Sequence, residues 1–303
     1  MSATLQAYGA VAAPVSIAHA HEDYAAFVAR RASPHVGAYI EEIDLSRPLS
    51  AAAVGELEEA LARHGVLFFR NQELDPRAHI ALAERLGEIE VNRFFKAVDG
   101  YPQIAEVRKE AGQKANIGGG WHTDHSYDQI PAKASLLYAR EVPEIGGDTI
   151  FASVEAAFES LSPALQKTLE GLSAVHSSRH VFGRGGNIDA SVDLRGRILN
   201  PELATQDAVH PVALRNARTG RKGIYVNPGF TLRFDGWTAQ ESASLLNYLY
   251  SQIARPEFSH RFQWAAGSLA IWDNRSTWHL ALNDYAGQRR LLHRITVKGE
   301  ALN

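Results

Sequence analysis

Three side chains far apart in the sequence have the types needed to hold one metal ion. His122 and Asp124 lie in Trp121-His122-Thr123-Asp124, and His279 closes the downstream run Trp272-Asp273-Asn274-Arg275-Ser276-Thr277-Trp278-His279. Two imidazoles and one carboxylate occupy one face of a metal and leave the other open, the donor set of non-haem Fe(II) oxygenases. Arg290 follows His279 by eleven positions. A guanidinium there could fork onto the carboxylate of an organic co-substrate.

Composition narrows the alternatives. The chain has no cysteine, so disulfides, thiolate metal sites and thiol nucleophiles are excluded and any transition metal must be held by His and carboxylates. A net charge of -3, with 45% hydrophobic and 21% charged residues, is that of an ordinary globular protein. It gives no reason to expect nucleic acid or an anionic membrane as partner. No apolar run is long enough to span a bilayer. The first residues are small and apolar but lack an early Lys or Arg, which argues against a secretory signal. Residues 1–30 are therefore expected to form an N-terminal arm, partly disordered, ahead of a single domain over 31–303, with the cytoplasm as the default compartment.

The elements that must position these residues are partly legible. Ser50 precedes a helical stripe of Val54, Leu57, Ala60 and Leu61 that Gly65 stops, and Val66-Leu67-Phe68-Phe69 reads as a buried strand. Asp75-Pro76 opens a second helix that ends at Gly87, and Ser162-Pro163 opens a third that runs to Gly171. Thr238-Ala239-Gln240-Glu241 is a capping box before the stripe Leu245, Leu246, Leu249, Ile253. From residue 134 onward strand signals dominate, over 134–142, 148–154, 222–226, 258–264, 268–272 and 291–297. Many short strands with helices inserted between them predict a mainly β sandwich or barrel with helices outside it. Residues 182–206 lack periodicity and read as a long loop, a lid or a disordered segment.

On a strand, residues two apart point the same way, so His122 and Asp124 project together if extended and Thr123 faces away. His-x-Asp alone is equally a surface turn carrying a histidine; His279 and Arg290 downstream favour the metal reading. Residues 290–297 alternate, with Arg290, Leu292, Arg294 and Thr296 on one face. That face is either solvated or turned into a polar barrel interior, where two arginines beside a metal would receive two acids. Gly146-Gly147 gives a tight turn, and Thr149 behind it could donate to a carboxylate gripped by Arg290; a plain hairpin turn is the alternative. The cluster His176, Arg179, His180, Arg184 reads as a solvated basic loop or a basic lid.

Trp121-His122-Thr123-Asp124, Gly146-Gly147-Asp148-Thr149, Tyr225-Val226-Asn227-Pro228-Gly229-Phe230-Thr231, Ile271-Trp272-Asp273-Asn274-Arg275 and Gln288-Arg289-Arg290 together carry a resemblance. From about residue 37 to 299 the chain resembles the taurine dioxygenase family of Fe(II)- and 2-oxoglutarate-dependent dioxygenases, which includes aryloxyalkanoate dioxygenases and alkylsulfatases. The resemblance implies a double-stranded β-helix (jelly roll). His122, Asp124 and His279 would be the iron ligands, and Thr149 and Arg290 would bind the distal carboxylate of 2-oxoglutarate. Arg294 would bind the anionic head of the prime substrate, and Phe182 would line its pocket. Asn92 and Phe95 stand where the family places a histidine and a tyrosine near the substrate, Gly118 replaces an asparagine, and His125 replaces a valine. These departures put taurine itself in doubt. His125 reads either as a substrate contact or as a hydrogen-bonded wall histidine.

The activity implied is hydroxylation of a C–H bond of a small organic anion, a sulfonate, sulfate ester, aryloxyalkanoate or related carboxylate, with 2-oxoglutarate and O2 consumed and succinate and CO2 released. Desaturation or cyclisation with the same cofactors is an alternative outcome, and a non-redox metal-binding jelly roll is a different class. A homo-oligomer is expected from the resemblance alone.

Overall fold

The structure, a computed structural model, describes residues 21–188, 191–194 and 196–302. Its main sheet has ten strands. Ala132–Glu141 lies at the centre, antiparallel to Leu269–Asp273 on one side and Arg290–Lys298 on the other. Val66–Phe69 continues the sheet beyond Leu269–Asp273, and Tyr101–Lys109 continues it beyond Arg290–Lys298. A second wall is built from Ser259–Phe262, Thr149–Ser153 and Thr277–Ala281.

Strand alternation decides what lies between the walls. Phe68, Leu137, Trp272 and Leu292 of the main sheet turn inward and meet Phe151 and Phe262 of the second wall. Phe68 stacks on Phe262 with ring centroids 4.2 Å apart. The alternate residues Leu67, Phe69, Leu136, Ile271, Ile295 and Val297 face outward. They pack against Ala51–His64, which buries the predicted stripe of Val54, Leu57, Ala60 and Leu61, and against Pro76–Leu86. Helices Val154–Glu159, Pro163–Glu170 and Ala239–Ile253 cover the second wall around Trp278. Two facing sheets with helices outside form the expected jelly roll.

The helix starts follow their caps. Ser50 and Asp75 accept from Ala53 and Ala78 backbone N–H groups, and Thr238 and Glu241 cap each other reciprocally. One expectation needs correction. The arm predicted over 1–30 does not hold over its last part, because His21–Asp23 and Val28–Arg31 are strands of the main sheet. Phe27 and Ala29 are buried, and Arg30 pairs with Glu41 at 2.6 Å. Residues 1–20 lie outside the described residues.

Candidate metal centre

His122 and His279 are cross-strand partners. The His122 N–H donates to the His279 carbonyl at 3.1 Å and the His279 N–H to the His122 carbonyl at 2.9 Å, an isolated antiparallel bridge that sets the two rings 4.1 Å apart. The chain then turns, so His122 and Asp124 share a side without forming a regular strand. Asp124 Oδ1 lies 3.8 Å from His122 Nε2 and 3.9 Å from His279 Nε2, and one ligand atom from each of the three falls within 4.8 Å of the others. Thr123 faces away and donates to the Asn274 carbonyl. His122 Nδ1 sits 2.8 Å from the Gly120 carbonyl. A carbonyl only accepts, so that nitrogen carries the proton and Nε2 presents its lone pair to the centre.

The charges suit a metal. Burial holds both imidazoles below the usual histidine range, His279 well below, and they stay neutral. Burial alone would raise the Asp124 carboxyl, but the Arg294 guanidinium beside it holds it well below the usual carboxylate range. Arg294 Nη1 donates to Asp124 Oδ1 at 3.1 Å. Two neutral imidazoles and an ionised carboxylate are the ligand forms that a divalent ion requires.

A cavity of about 450 Å³ runs from this trio between the two walls. At its wall Arg290 is 4% exposed, and its Nε and Nη2 are buried without a hydrogen-bond partner among the described residues. Burial pushes its pKa down to about 10. Leaving a guanidinium dry and unpaired is costly, so the geometry fits an anion delivered into the cavity. Thr149 lines the same space, and its Oγ1 accepts from the Trp264 indole at 2.9 Å, which leaves its own hydrogen free to donate. Gly147, at φ +69°, makes this possible. A Cβ there would lie 3.2 Å from Arg290 Cδ, so a side chain would crowd the arginine out of place.

Residues 29–296 match the family described as "Taurine catabolism dioxygenase TauD, TfdA family". The chain belongs to this family. An alkylsulfatase of Acinetobacter baylyi is 36% identical over 273 residues, covering 89% of this chain and 84% of that protein. A sulfate ester dioxygenase of Pseudomonas putida, named as alpha-ketoglutarate-dependent, is 34% identical and covers 88% and 87%. The crystal structure of a taurine dioxygenase from Burkholderia xenovorans superposes with a TM-score of 0.77 at 33% identity, covering 91% of each chain. The protein is thus a 2-oxoglutarate-dependent dioxygenase that works with Fe(II) and O2.

The enzyme gathers most of the residues singled out in the sequence around one cavity. Phe95, Phe182, Thr149, Arg290 and Arg294 line it together with His122, Asp124 and His279. Two expected substrate residues do not reach it. Asn92 Oδ1 accepts from the Phe94 and Phe95 N–H groups, and its amide faces His125 at 3.3 Å. It is a turn residue. His125 takes a left-handed backbone, φ +58°, and its Nδ1 pairs with Asp128 Oδ2 at 2.9 Å. It is the wall histidine of the two readings. The basic cluster also divides. His176 is fully buried against Ser126 and Thr231, Arg179 caps the Thr205 carbonyl, and only His180 lines the cavity, at its rim.

Sequence reasoning missed Tyr127, Phe230, Ile188 and Leu194, which line the cavity, and Trp264 behind Thr149. Phe230 lay within a quoted motif. The others carry no local signal, since nothing near them in sequence says which way they face.

Proposed function

We propose that the enzyme hydroxylates the C–H bond next to the anionic group of a small, apolar-bodied organic monoanion, with sulfate esters ahead of sulfonates, aryloxyalkanoates and related carboxylates. His122, Asp124 and His279 would hold the iron. Arg290 and Thr149 would hold the distal carboxylate of 2-oxoglutarate, and Arg294 would receive the substrate anion beside the metal. The observation that carries this reading is Arg290, a buried guanidinium with two nitrogens that find no hydrogen-bond partner among the described residues, in the same cavity as the metal trio. A non-redox metal site gives no reason for it.

The cavity wall supports the substrate class. Phe95, Tyr127, Phe182, Ile188, Leu194 and Phe230 offer an apolar and aromatic surface. Asp124 is the sole carboxylate among the described residues lining it, and Arg294 already pairs with that group. An ammonium such as taurine's would find no counter-ion and would be desolvated at a cost. An alkyl chain or aryl ring would gain roughly 25 cal/mol for each Å² removed from water.

Bound Fe(II) activates O2 at the expense of 2-oxoglutarate and supplies the oxidising power. The residues of the chain supply placement. The aromatic wall would hold the carbon to be oxidised near the metal face that the trio leaves open, and burial would exclude water and other oxidisable groups. Hydroxylation of the carbon that bears a sulfate ester gives a product that collapses to an aldehyde and hydrogensulfate. The balance is ester, 2-oxoglutarate and O2 to aldehyde, hydrogensulfate, succinate and CO2.

A succinate-release screen over alkyl sulfates, small sulfonates, phenoxy acids and amino-acid-like carboxylates tests this. Alkyl sulfates are expected to give the largest stimulation and taurine little. Stimulation by taurine equal to that by an alkyl sulfate of similar length would refute the apolar-body reading.

A further inference from the structure

Asp124 has two oxygens, and the fold treats them differently. Oδ1 faces both histidine Nε2 atoms and accepts from Arg294 Nη1 at 3.1 Å, a nitrogen that stands 3.4 Å from Oδ2. Oδ2 accepts from the Ser135 hydroxyl at 2.8 Å. Ser135 in turn accepts from Asn274 Nδ2 at 3.1 Å, and Asn274 Oδ1 accepts from the Trp272 indole at 2.7 Å. All three outer residues are at most 1% exposed.

The direction of this chain has no freedom. An indole N–H only donates, so the Asn274 amide must turn its oxygen to Trp272 and its NH2 to Ser135. The Ser135 oxygen then receives that N–H, and its single hydrogen is left to point at Asp124 Oδ2. An ionised carboxylate only accepts, so the chain ends there. The sheet supplies the rigidity. Trp272 is the register partner of Ser135 at the centre of the main sheet, and the Asn274 N–H bonds the Lys133 carbonyl at 2.9 Å.

We infer that Ser135 and Asn274 are positioning residues that occupy Asp124 Oδ2 and thereby present Oδ1 alone to the metal. Single-oxygen ligation would keep the open face free for co-substrate and O2, whereas a carboxylate free to swing could chelate through both oxygens and fill part of it. Outer partners of this kind change metal affinity by about 10- to 100-fold. The inference rests on the reading of Asp124 as a ligand, and the test separates the two.

The full-length protein is titrated anaerobically with Co(II), whose visible absorption reports its ligand set, and each variant is also melted thermally. Ser135→Ala is expected to bind Co(II) about 10- to 100-fold more weakly and with an altered band, while Ser135→Thr, which keeps a hydroxyl, stays near the parent. Asn274→Asp keeps the side-chain shape but removes the donor that orients Ser135, and it carries the same test should Ser135→Ala not fold. Co(II) affinity within twofold of the parent and an unchanged band in Ser135→Ala, with Asp124→Ala losing binding, would overturn the relay and leave the ligand assignment standing. A lower melting temperature with unchanged Co(II) binding would overturn it equally, since packing alone would explain that. Parent-like binding in Asp124→Ala would overturn the ligand assignment and the relay together.

Discussion

At the scale of single residues, Arg290 is the proposed anchor of the co-substrate. It keeps its charge although it is buried and two of its nitrogens lack partners. A bound carboxylate would satisfy the guanidinium with charge-assisted hydrogen bonds. Arg290→Ala should raise the KM for 2-oxoglutarate roughly 30- to 100-fold, the loss of about 2–3 kcal/mol from a hydrogen-bonded charge. Arg290→Lys, which keeps the charge but not the fork, should fall between. The alanine variant should melt no lower than the parent without co-substrate, because it removes a desolvated charge. Initial rates against 2-oxoglutarate concentration decide this, and a KM within twofold of the parent would remove Arg290 from the role. Its place was legible because the 290–297 strand alternates with period two and the metal trio indicates which face points inward. Asn92 and His125 stayed ambiguous for a related reason. Both sit in turns, where alternation says nothing about direction, and the positive φ of His125 swings its ring toward Asp128. That Arg294 would pair with Asp124 was also hidden, since no local pattern records a contact across 170 residues.

At the scale of elements, the four longest helices and the central strands were legible, whereas Val154–Glu159 and the edges were not. Helix starts announce themselves through caps at Ser50, Asp75, Ser162 and Thr238. Val66–Phe69 is wholly buried, and its unbroken apolar run shows it. The strands Val28–Arg31 and Ala38–Glu41 mix exposed and buried positions and exist through pairing with each other and with Val66–Phe69. Thr277–Ala281 carries His279, yet it follows the polar run Asp273-Asn274-Arg275-Ser276 that reads as a turn. The loop over 182–206 was legible as irregular but not as attached. Asp193 Oδ2 accepts from the Lys114 and Ala115 N–H groups, and Arg197 Nη1 donates to Gln113 Oε1 and the Ala115 carbonyl. These bonds tie the segment that carries Leu194 to the segment that carries Asn116 and Gly118, all on the cavity wall. Gly118 in turn sits so close that a Cβ would lie 3.2 Å from His122 Cε1. Asp193→Ala should free both segments. Amide hydrogen exchange over 113–118 and 191–199 should quicken by roughly threefold or more, with the global melting temperature little changed. Succinate release without prime substrate should rise, because a loosened cover admits water. Unchanged exchange in both segments would mean that the contact is not a latch.

At the scale of the whole molecule, buried neutral histidines set the response to acid. Burial pushes His79 and His176 down to about 3, and His64 and His293 down to about 4, from an ordinary value of 6.5. They fall in three places in the fold. His79 packs beside Tyr138 with His293 and Arg140 nearby, His176 lies beside His210 and Tyr225, and His64 ends the first helix next to Glu22. Each folded value lies below the unfolded one, so between the two the unfolded chain binds the extra proton. The stability they contribute is therefore complete above about pH 6.5 and is lost as pH falls toward 3–4, the same direction as the lowered carboxyls of Asp124 and Asp128 at still lower pH. One such histidine accounts for a slope of about 1.4 kcal/mol per pH unit once the unfolded chain is protonated there. Melting temperature should be flat above pH 7 and fall with increasing steepness below about pH 6. His79→Leu replaces a fully buried ring with an apolar side chain and removes one of these protons. Its unfolding free energy from denaturant titrations should fall less steeply between pH 5.5 and 4.5 than that of the parent, by about 1.4 kcal/mol per pH unit. Equal slopes for the two proteins over that interval would show that His79 takes up no proton on unfolding and would remove it from the acid response.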